Sequence, residues 1–163
     1  FNDLPAYDIA LLKLSGEVDH VSPIALYTGS NEVGKTVTLL GWGDYGTGDR
    51  GIAREQAIND GLFRQATNQI IRAEGNQLFF DFDPPESGAS LPLEGVNGPG
   101  DSGGPALVES NEGYEIIGIS SGGYYPKGVK HDSQEGRYGW REYYVRVSAM
   151  MEWIQEVIGT SGK

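Results

Sequence analysis

Residues 100–105 place a single serine among three glycines and a proline. This stretch restricts the possible local secondary structure more than any other in the chain. Ser102 follows Gly100-Asp101 and precedes Gly103-Gly104-Pro105. Gly and Pro oppose a helix interior, and the next residues, 106–108, are Ala-Leu-Val, which favour a strand. Glycines on both sides of Ser102 permit φ values that other residues avoid. We therefore expect a tight turn at Ser102.

Residues 100–104 also satisfy the pattern G-x-S-x-G, in which a serine sits at a sharp turn from a strand into a helix. That arrangement needs a helix after the serine, and then an acid and a histidine further along the chain. Here the residues after Ser102 oppose a helix, and the downstream histidine, His131, lies in a loop rich in Gly, Lys and Tyr. The strand-turn-helix interpretation is therefore disfavoured.

The stretch from Gly100 to Pro105 resembles the active-site signature of the chymotrypsin/trypsin family of serine proteases. Four further segments match that family in sequence order: Tyr7–Leu14, Thr38–Gly43, Gly118–Gly123, and Tyr144–Val147 with the residues up to Ile158. Together they cover nearly the whole chain. The resemblance implies an all-β fold, a chymotrypsin-like antiparallel β-barrel that is the second barrel of a two-barrel fold, followed by a C-terminal helix.

The resemblance also assigns roles to the site residues. Ser102 is the expected nucleophile, activated by a base, with Gly100 and Ser102 donating N–H groups to the oxyanion. Asp8 is expected to orient the catalytic histidine, and Ser121 to form a hydrogen bond near Asp8. Gly123 is expected to pair with the substrate backbone.

The remaining roles concern the cleft wall, the primary pocket and activation. Gly122 belongs to the same cleft wall as Gly123, Val96 and Asn97 are expected in the primary specificity pocket, and Glu142 is expected to point into it. Because Val96 stands where trypsin-like members place an acid, Glu142 is the candidate acceptor for a basic side chain, with Glu94 as a second candidate. Glu142 can equally be a surface residue beside Arg141. Asp101 is the expected activation residue.

The family's histidine lies upstream of its aspartate, but seven residues precede Asp8 and none is a histidine. His20 and His131 occupy other positions and are interpreted as solvated loop residues. We therefore expect this chain to be a C-terminal portion that needs an upstream histidine-bearing segment of the same protein for activity. The resemblance implies that Asp101 pairs with an N-terminal ammonium group released by an activating cleavage. Without the upstream segment this partner is absent, and we expect the loop around the Asp101 carboxylate to relax or reach water.

The expected organisation has three parts. Residues 1–33 hold the last strand of the first barrel, over residues 1–15, and the connection between barrels. Residues 34–147 form the second barrel, with a hairpin at Glu74-Gly75-Asn76. Residues 148–163 form a helix and tail, with Ser148 as the N-cap and with Met151, Ile154 and Ile158 on one face.

Composition narrows the function class. The net charge of −11 disfavours nucleic acid and anionic membranes as partners, and no apolar run is long enough to span a bilayer. The chain has no cysteine, which departs from the disulfide-rich animal members and suggests a bacterial-type branch. We expect no cofactor, because nothing in the sequence resembles a cofactor or phosphate loop. The acidic cluster Asp81, Asp83 and Glu86 could offer oxygen ligands to Ca²⁺, but it lacks an ordered ligand loop, so a metal site there is disfavoured. Two functions remain: a secreted serine endopeptidase acting on polypeptides, and a non-catalytic homologue that binds proteins.

Overall fold

A computed structural model describes residues 7–52, 59–130 and 134–160 of the chain. Most of the regular secondary structure in these residues is β-strand. In chain order, the elements are β1 (Ala25–Leu26), β2 (Thr36–Gly41), β3 (Arg64–Gln69), β4 (Arg72–Glu74), β5 (Gln77–Asp81), a 3₁₀ turn (Pro85–Ser87), β6 (Pro105–Ser110), β7 (Gly113–Tyr124), β8 (Arg141–Arg146) and α1 (Val147–Thr160). Within these residues, no helix is both long and apolar enough to cross a membrane.

The sheet curls because one bent segment of chain contributes to both of its edges. The strand order is β3-β2-β6-β7-β8-β5-β4, with antiparallel neighbours, and β1 pairs in parallel with β7. Only Ile70 and Ile71 separate β3 from β4. The Ile70 N–H donates to Lys35 O at 3.0 Å, beside β2, and the Ile71 N–H donates to Phe79 O in β5 at 2.9 Å. This antiparallel sheet, followed by one C-terminal helix, confirms the predicted all-β class.

The predicted hairpin forms where expected. Glu74 pairs with Gln77 across a two-residue loop, in which Gly75 has a φ of 53°. A positive φ at this position suits the tight turns that join antiparallel strands.

Alternating apolar residues fill the inside of the curled sheet. In β2 the inward positions are Val37 and Leu39, and in β5 they are Leu78 and Phe80, because successive side chains of a strand point to opposite faces. Tyr144 of β8 is fully buried among them, and its ring meets that of Phe80 edge to face, with ring centroids 4.9 Å apart. Close packing of large side chains fixes the spacing between opposite walls.

The C-terminal helix packs on the outside of the sheet. Met150 and Ile154 are buried against Val145 of β8, with Met151 partly buried beside them. Ile158, which the helical pattern placed on the same face, is 63% exposed. The buried face of α1 therefore ends one turn earlier than predicted.

The strand predicted for residues 1–15 is not formed over its described part, residues 7–15. A strand needs a neighbour for its backbone N–H and C=O groups, and no described strand pairs with this segment. Leu12 and Leu14 are 86% and 65% exposed, while Ile9 packs against the α1 cluster. The division into residues 1–33, 34–147 and 148–163 stays a prediction.

A buried ion pair fastens the segment before β2 to the start of α1. Glu32 is 1% exposed and accepts two hydrogen bonds from Arg146, at 2.7 and 3.0 Å, and one from the Ser148 hydroxyl at 2.6 Å. Ser148 lies inside the first turn of the helix, which begins at Val147, so its expected N-cap role is wrong. Burial pushes the pKa of Glu32 upward, but the Arg146 and Ser148 hydrogen bonds outweigh burial and hold it below 4.5.

Replacing Glu32 by Gln is expected to lower the free energy of unfolding by about 3 kcal/mol, because removing one partner leaves the other charge unpaired. Urea unfolding near neutral pH measures this loss. The matched control is Glu112→Gln, at the exposed tip between β6 and β7, which should change little.

The difference between wild type and Glu32→Gln should also depend on pH. Because the pKa of Glu32 is depressed in the folded state, its contribution is present above its ordinary value and is lost as pH falls through the folded value. A difference that does not shrink in acid would contradict this assignment.

Candidate active site

Ser102 lies exposed at the tip of a turn between two glycines with left-handed backbone. Gly100 has a φ of 98° and Gly103 a φ of 81°, values that residues with a Cβ rarely adopt. The Gly103 N–H donates to Ser120 O at 2.9 Å, which fixes the turn to β7. A strand, β6, begins at Pro105, so the helix that the alternative G-x-S-x-G pattern requires is not formed.

The carboxylate of Asp101 is bound by backbone N–H groups and is not left unpaired. Its Oδ1 accepts from the Gly43 N–H at 2.6 Å, and its Oδ2 accepts from the Gly98 N–H at 3.0 Å. Because two donors within this chain satisfy the half-buried carboxylate, the expected unpaired group is not found. A Cβ at Gly41 would lie 1.8 Å from Oδ1, so this close approach requires glycine.

Asp8 and Ser121 are brought together from 113 positions apart in the sequence. The Ser121 hydroxyl donates to Asp8 Oδ2 at 2.6 Å, at an exposed site. Asp8 also lines a cavity of about 490 Å³ whose other wall includes Gly103, the residue after Ser102. The rest of this cavity is mainly apolar and includes Ile119 and Ile154. The predicted aspartate and the serine turn thus border one cavity.

The strand segment at Ser121–Gly123 has an edge that no described strand occupies. On one side, Gly122 and Gly123 pair with Tyr143 and Glu142 of β8. On the other side, the pairing of β7 with β6 ends at Ile119. An unpaired edge offers N–H and C=O groups to an extended peptide.

Val96 and Asn97 line a different space from the one that Glu142 occupies. Both border a cavity of about 200 Å³ together with Asp101, and this lining does not include Glu142 or Gly123. Asn97 is 8% exposed, and within the described residues its Nδ2 has no hydrogen-bond partner. The residues expected in one pocket are therefore divided between two places.

Glu142 is a buried acid and not a surface residue, since it is 3% exposed. Burial raises its pKa to about 8, and the charges of Glu135 and Asp101 act in the same direction, while a hydrogen bond from Trp140 opposes them. That bond joins Trp140 Nε1–H to Glu142 Oε1 at 2.6 Å. The hydrogen bond of Trp140 to Glu142 was not predicted from the sequence. Nothing in the local sequence pattern distinguishes an indole that binds an acid from one that packs in a core.

Glu94, the second candidate pocket acid, stabilises a loop. Its two oxygens accept the N–H groups of Asp83 at 2.7 Å and Leu91 at 2.5 Å. Both carboxylate oxygens are therefore engaged with the backbone of this loop.

The acidic cluster at Asp81, Asp83 and Glu86 is not arranged around an ion. Asp81 binds Arg141 through both oxygens, at 2.5 and 2.7 Å, and burial together with the charges of Glu94 and Asp81 raises the pKa of Asp83. Over the described ranges, no group of three potential ligands could hold a metal.

His20, the histidine that the structure describes, lines neither of the two cavities. His20 is highly exposed and lies 3.6 Å from Asp19 in the loop before β1. His131 lies outside the described residues.

Substituting Gly41 by Ala is expected to destabilise the protein by about 1–3 kcal/mol, because the new Cβ overlaps the Asp101 carboxylate. Denaturant unfolding measures the loss. Gly16→Ala is the matched control, since nothing lies within 4 Å of the Cβ position there. Equal effects of the two substitutions would contradict the close approach at Asp101.

Glu142→Gln should flatten the pH dependence of stability. Because the pKa of Glu142 is raised in the folded state, its stabilisation is present below 4.5 and is lost as pH rises through about 8. Between these values we expect wild type to lose stability relative to the variant, on the order of 1 kcal/mol per unit of pKa difference. Thermal unfolding across this range tests it, with Glu109→Gln at an exposed position as control. Parallel curves for wild type and Glu142→Gln would refute the assignment.

Comparison with known proteins identifies the family. A family model described as Trypsin matches residues 2–154. Melanization protease 1 of Drosophila melanogaster is 31% identical over an alignment of 161 positions, gaps included, and the match covers 91% of this chain and 37% of that protein. The chain thus spans little more than a third of the length of this relative, and its curled antiparallel sheet with a C-terminal helix matches the chymotrypsin-like fold. The chain belongs to the trypsin family.

Proposed function

We propose that this chain carries the nucleophile and the orienting aspartate of a serine endopeptidase. The observation that supports this most is the Ser121–Asp8 hydrogen bond, which holds Asp8 at a cavity that the Ser102 turn also borders. Membership of the trypsin family supports a function of serine-protease type. The finer assignment of roles rests on the geometry of these residues.

In the proposed reaction, Ser102 Oγ attacks the carbonyl carbon of a peptide bond while a histidine imidazole takes its proton. The N–H groups of Gly100 and Ser102 donate to the oxyanion that forms. The imidazolium then gives its proton to the departing amine, which leaves an acyl-enzyme on Ser102. Water attacks this ester with the imidazole again acting as the base, and the acid product departs.

The histidine is proposed to come from an upstream segment of the same protein. Asp8 is exposed, with one carboxylate oxygen engaged by Ser121, and faces a cavity of about 490 Å³ with apolar walls. Such a cavity can accept a packed segment that brings an imidazole between Asp8 and Ser102. This segment is the partner that the chain needs for activity.

Substrate contacts are proposed at the unpaired edge of β7 and at the pocket residues. Ser121 and Gly123 would bind the substrate backbone as an added strand, with Gly122 between them. Glu142 would set the preference for the side chain next to the cleaved bond, and Val96 and Asn97 would contact the substrate from the separate cavity that they line. The Asp101 carboxylate would leave Gly43 and Gly98 to bind the ammonium released by an activating cleavage. We also propose that the protein acts outside the cell.

An organophosphonate probe tests the nucleophile. The full-length protein that carries this chain is expected to gain one adduct on Ser102, located by mass spectrometry of its peptides. Ser102→Ala should abolish labelling, and Asp8→Asn should slow it by about 10⁴-fold, since the histidine then takes the wrong tautomer. Ser22→Ala, in the exposed loop before β1, is the control. A correctly folded full-length protein that takes up no probe would instead support a non-catalytic homologue that binds proteins.

A further inference from the structure

The indole of Trp140 fills the space that the absent side chain of Gly123 leaves open. Gly123 and Glu142 are directly opposite in the β7–β8 pair, so their side-chain positions lie on the same face of the sheet. A Cβ on Gly123 would lie 2.2 Å from Trp140 Nε1 and 2.5 Å from the next ring carbon. The ring therefore lies directly against the backbone of β7.

Two contacts hold the indole in this place. Its N–H donates to Glu142 Oε1 at 2.6 Å. Its ring meets Tyr125 edge to face, with ring centroids 5.0 Å apart and an interplanar angle of 84°. Tyr125 is itself 9% exposed, and its hydroxyl donates to Gln134 O.

Glu142 is closed off from solvent, and the indole N–H is bonded to one of its carboxyl oxygens. Glu142 is 3% exposed, whereas Trp140 is half-buried. Neither of the two cavities described above is lined by Glu142, Gly123 or Trp140. A ligand that binds Glu142 Oε1 must therefore displace the indole N–H.

Hydrogen bonds hold the backbone around Trp140. The Gly139 N–H donates to Phe82 O at 2.8 Å, and Trp140 O accepts from the Phe82 N–H at 2.9 Å. The Trp140 N–H also closes a turn by donating to Arg137 O at 2.9 Å. The indole would therefore move by rotation about its own side-chain bonds, which leaves these backbone bonds and the β8 ladder intact.

We propose that Trp140 is a specificity-determining plug, whose indole N–H occupies the place on Glu142 that the cationic end of a substrate lysine or arginine side chain takes. This inference rests on the proposed function. A neutral N–H makes a weaker hydrogen bond to a carboxylate than an ammonium or guanidinium does. A basic side chain can therefore displace the indole, while an apolar side chain gains no bond that replaces the one it breaks. The negative charges of Glu135 and Asp101, which act on Glu142, also favour a cation there.

Binding of 4-aminobenzamidine, a fluorescent aromatic amidine, tests the plug without requiring catalysis. The full-length protein is used with Ser102→Ala, so that acylation plays no part. Adding Trp140→Ala should tighten binding about tenfold, because the closed state no longer competes with the ligand. Adding Trp140→Phe should tighten it about threefold, because the ring remains but the N–H does not. Glu142→Gln should weaken binding in each of these backgrounds.

Trp42→Ala is the matched control, because this tryptophan is 60% exposed and packs on Phe63. It should leave the dissociation constant unchanged. If Trp140→Ala does not fold, two other measurements test the plug. One is amidine binding by Trp140→Phe, and the other is the set of indole N–H resonances of the protein that retains Trp140. Saturating amidine should shift the Trp140 indole resonance and leave those of Trp42 and Trp153 in place.

Unchanged or weaker amidine binding in a folded Trp140→Phe protein, or an unmoved Trp140 resonance at saturation, would overturn the plug. So would amidine binding that does not respond to Glu142→Gln. These results are separate from the fate of the proposed function, because they are obtained without Ser102. If the plug behaves as expected but no phosphonate labels the protein, the assignment of the pocket stands and the proposed protease function is rejected.

Discussion

The turn that presents Ser102 depends on one half-buried interaction, the binding of the Asp101 carboxylate by the N–H groups of Gly43 and Gly98. A carboxylate removed from water is costly unless donors replace the water, and charge-assisted bonds from backbone N–H groups are among the strong ones. The interaction ties the serine turn to the end of β2, and it is possible only because Gly41 and Gly43 have no side chain there. Gly41 and Gly43 therefore matter to the site although they are distant from Ser102 in sequence.

Two of the buried acids show how the surroundings of a carboxyl group set its charge. Glu32 has a guanidinium and a hydroxyl as donors, and its pKa falls although burial opposes this. Glu142 has one neutral donor, Trp140, and negative charges nearby, and its pKa rises to about 8. Glu32 is a charged residue that connects the segment before β2 to the start of α1. Glu142 is an acid that is mainly protonated at neutral pH and that a cation could ionise.

Sequence patterns predicted the parts of this structure that depend on local chemistry. The glycines around Ser102 predicted its turn, and Glu74-Gly75-Asn76 predicted the hairpin between β4 and β5. The antiparallel β fold was predicted from the family resemblance. The family resemblance placed Ser121 near Asp8, and the two side chains are hydrogen-bonded. Of the strand expected over residues 1–15, the described residues 7–15 form no strand, because strand formation depends on a neighbouring strand and not on the segment alone. The contact of Trp140 with Glu142 could not be predicted, because it depends on which space the glycine at position 123 leaves open.

Closure of the space around Glu142 and protonation of its carboxyl group stabilise each other. With the indole of Trp140 in place, Glu142 is excluded from water, and the neutral form is favoured because a charge would be poorly solvated. With the indole displaced, water or a cation can solvate the carboxylate, and the charged form is favoured. The two equilibria are linked, so whatever ionises Glu142 also favours an open pocket. The neighbouring charges of Glu135 and Asp101 oppose ionisation, and hence they favour the closed arrangement until a cation arrives.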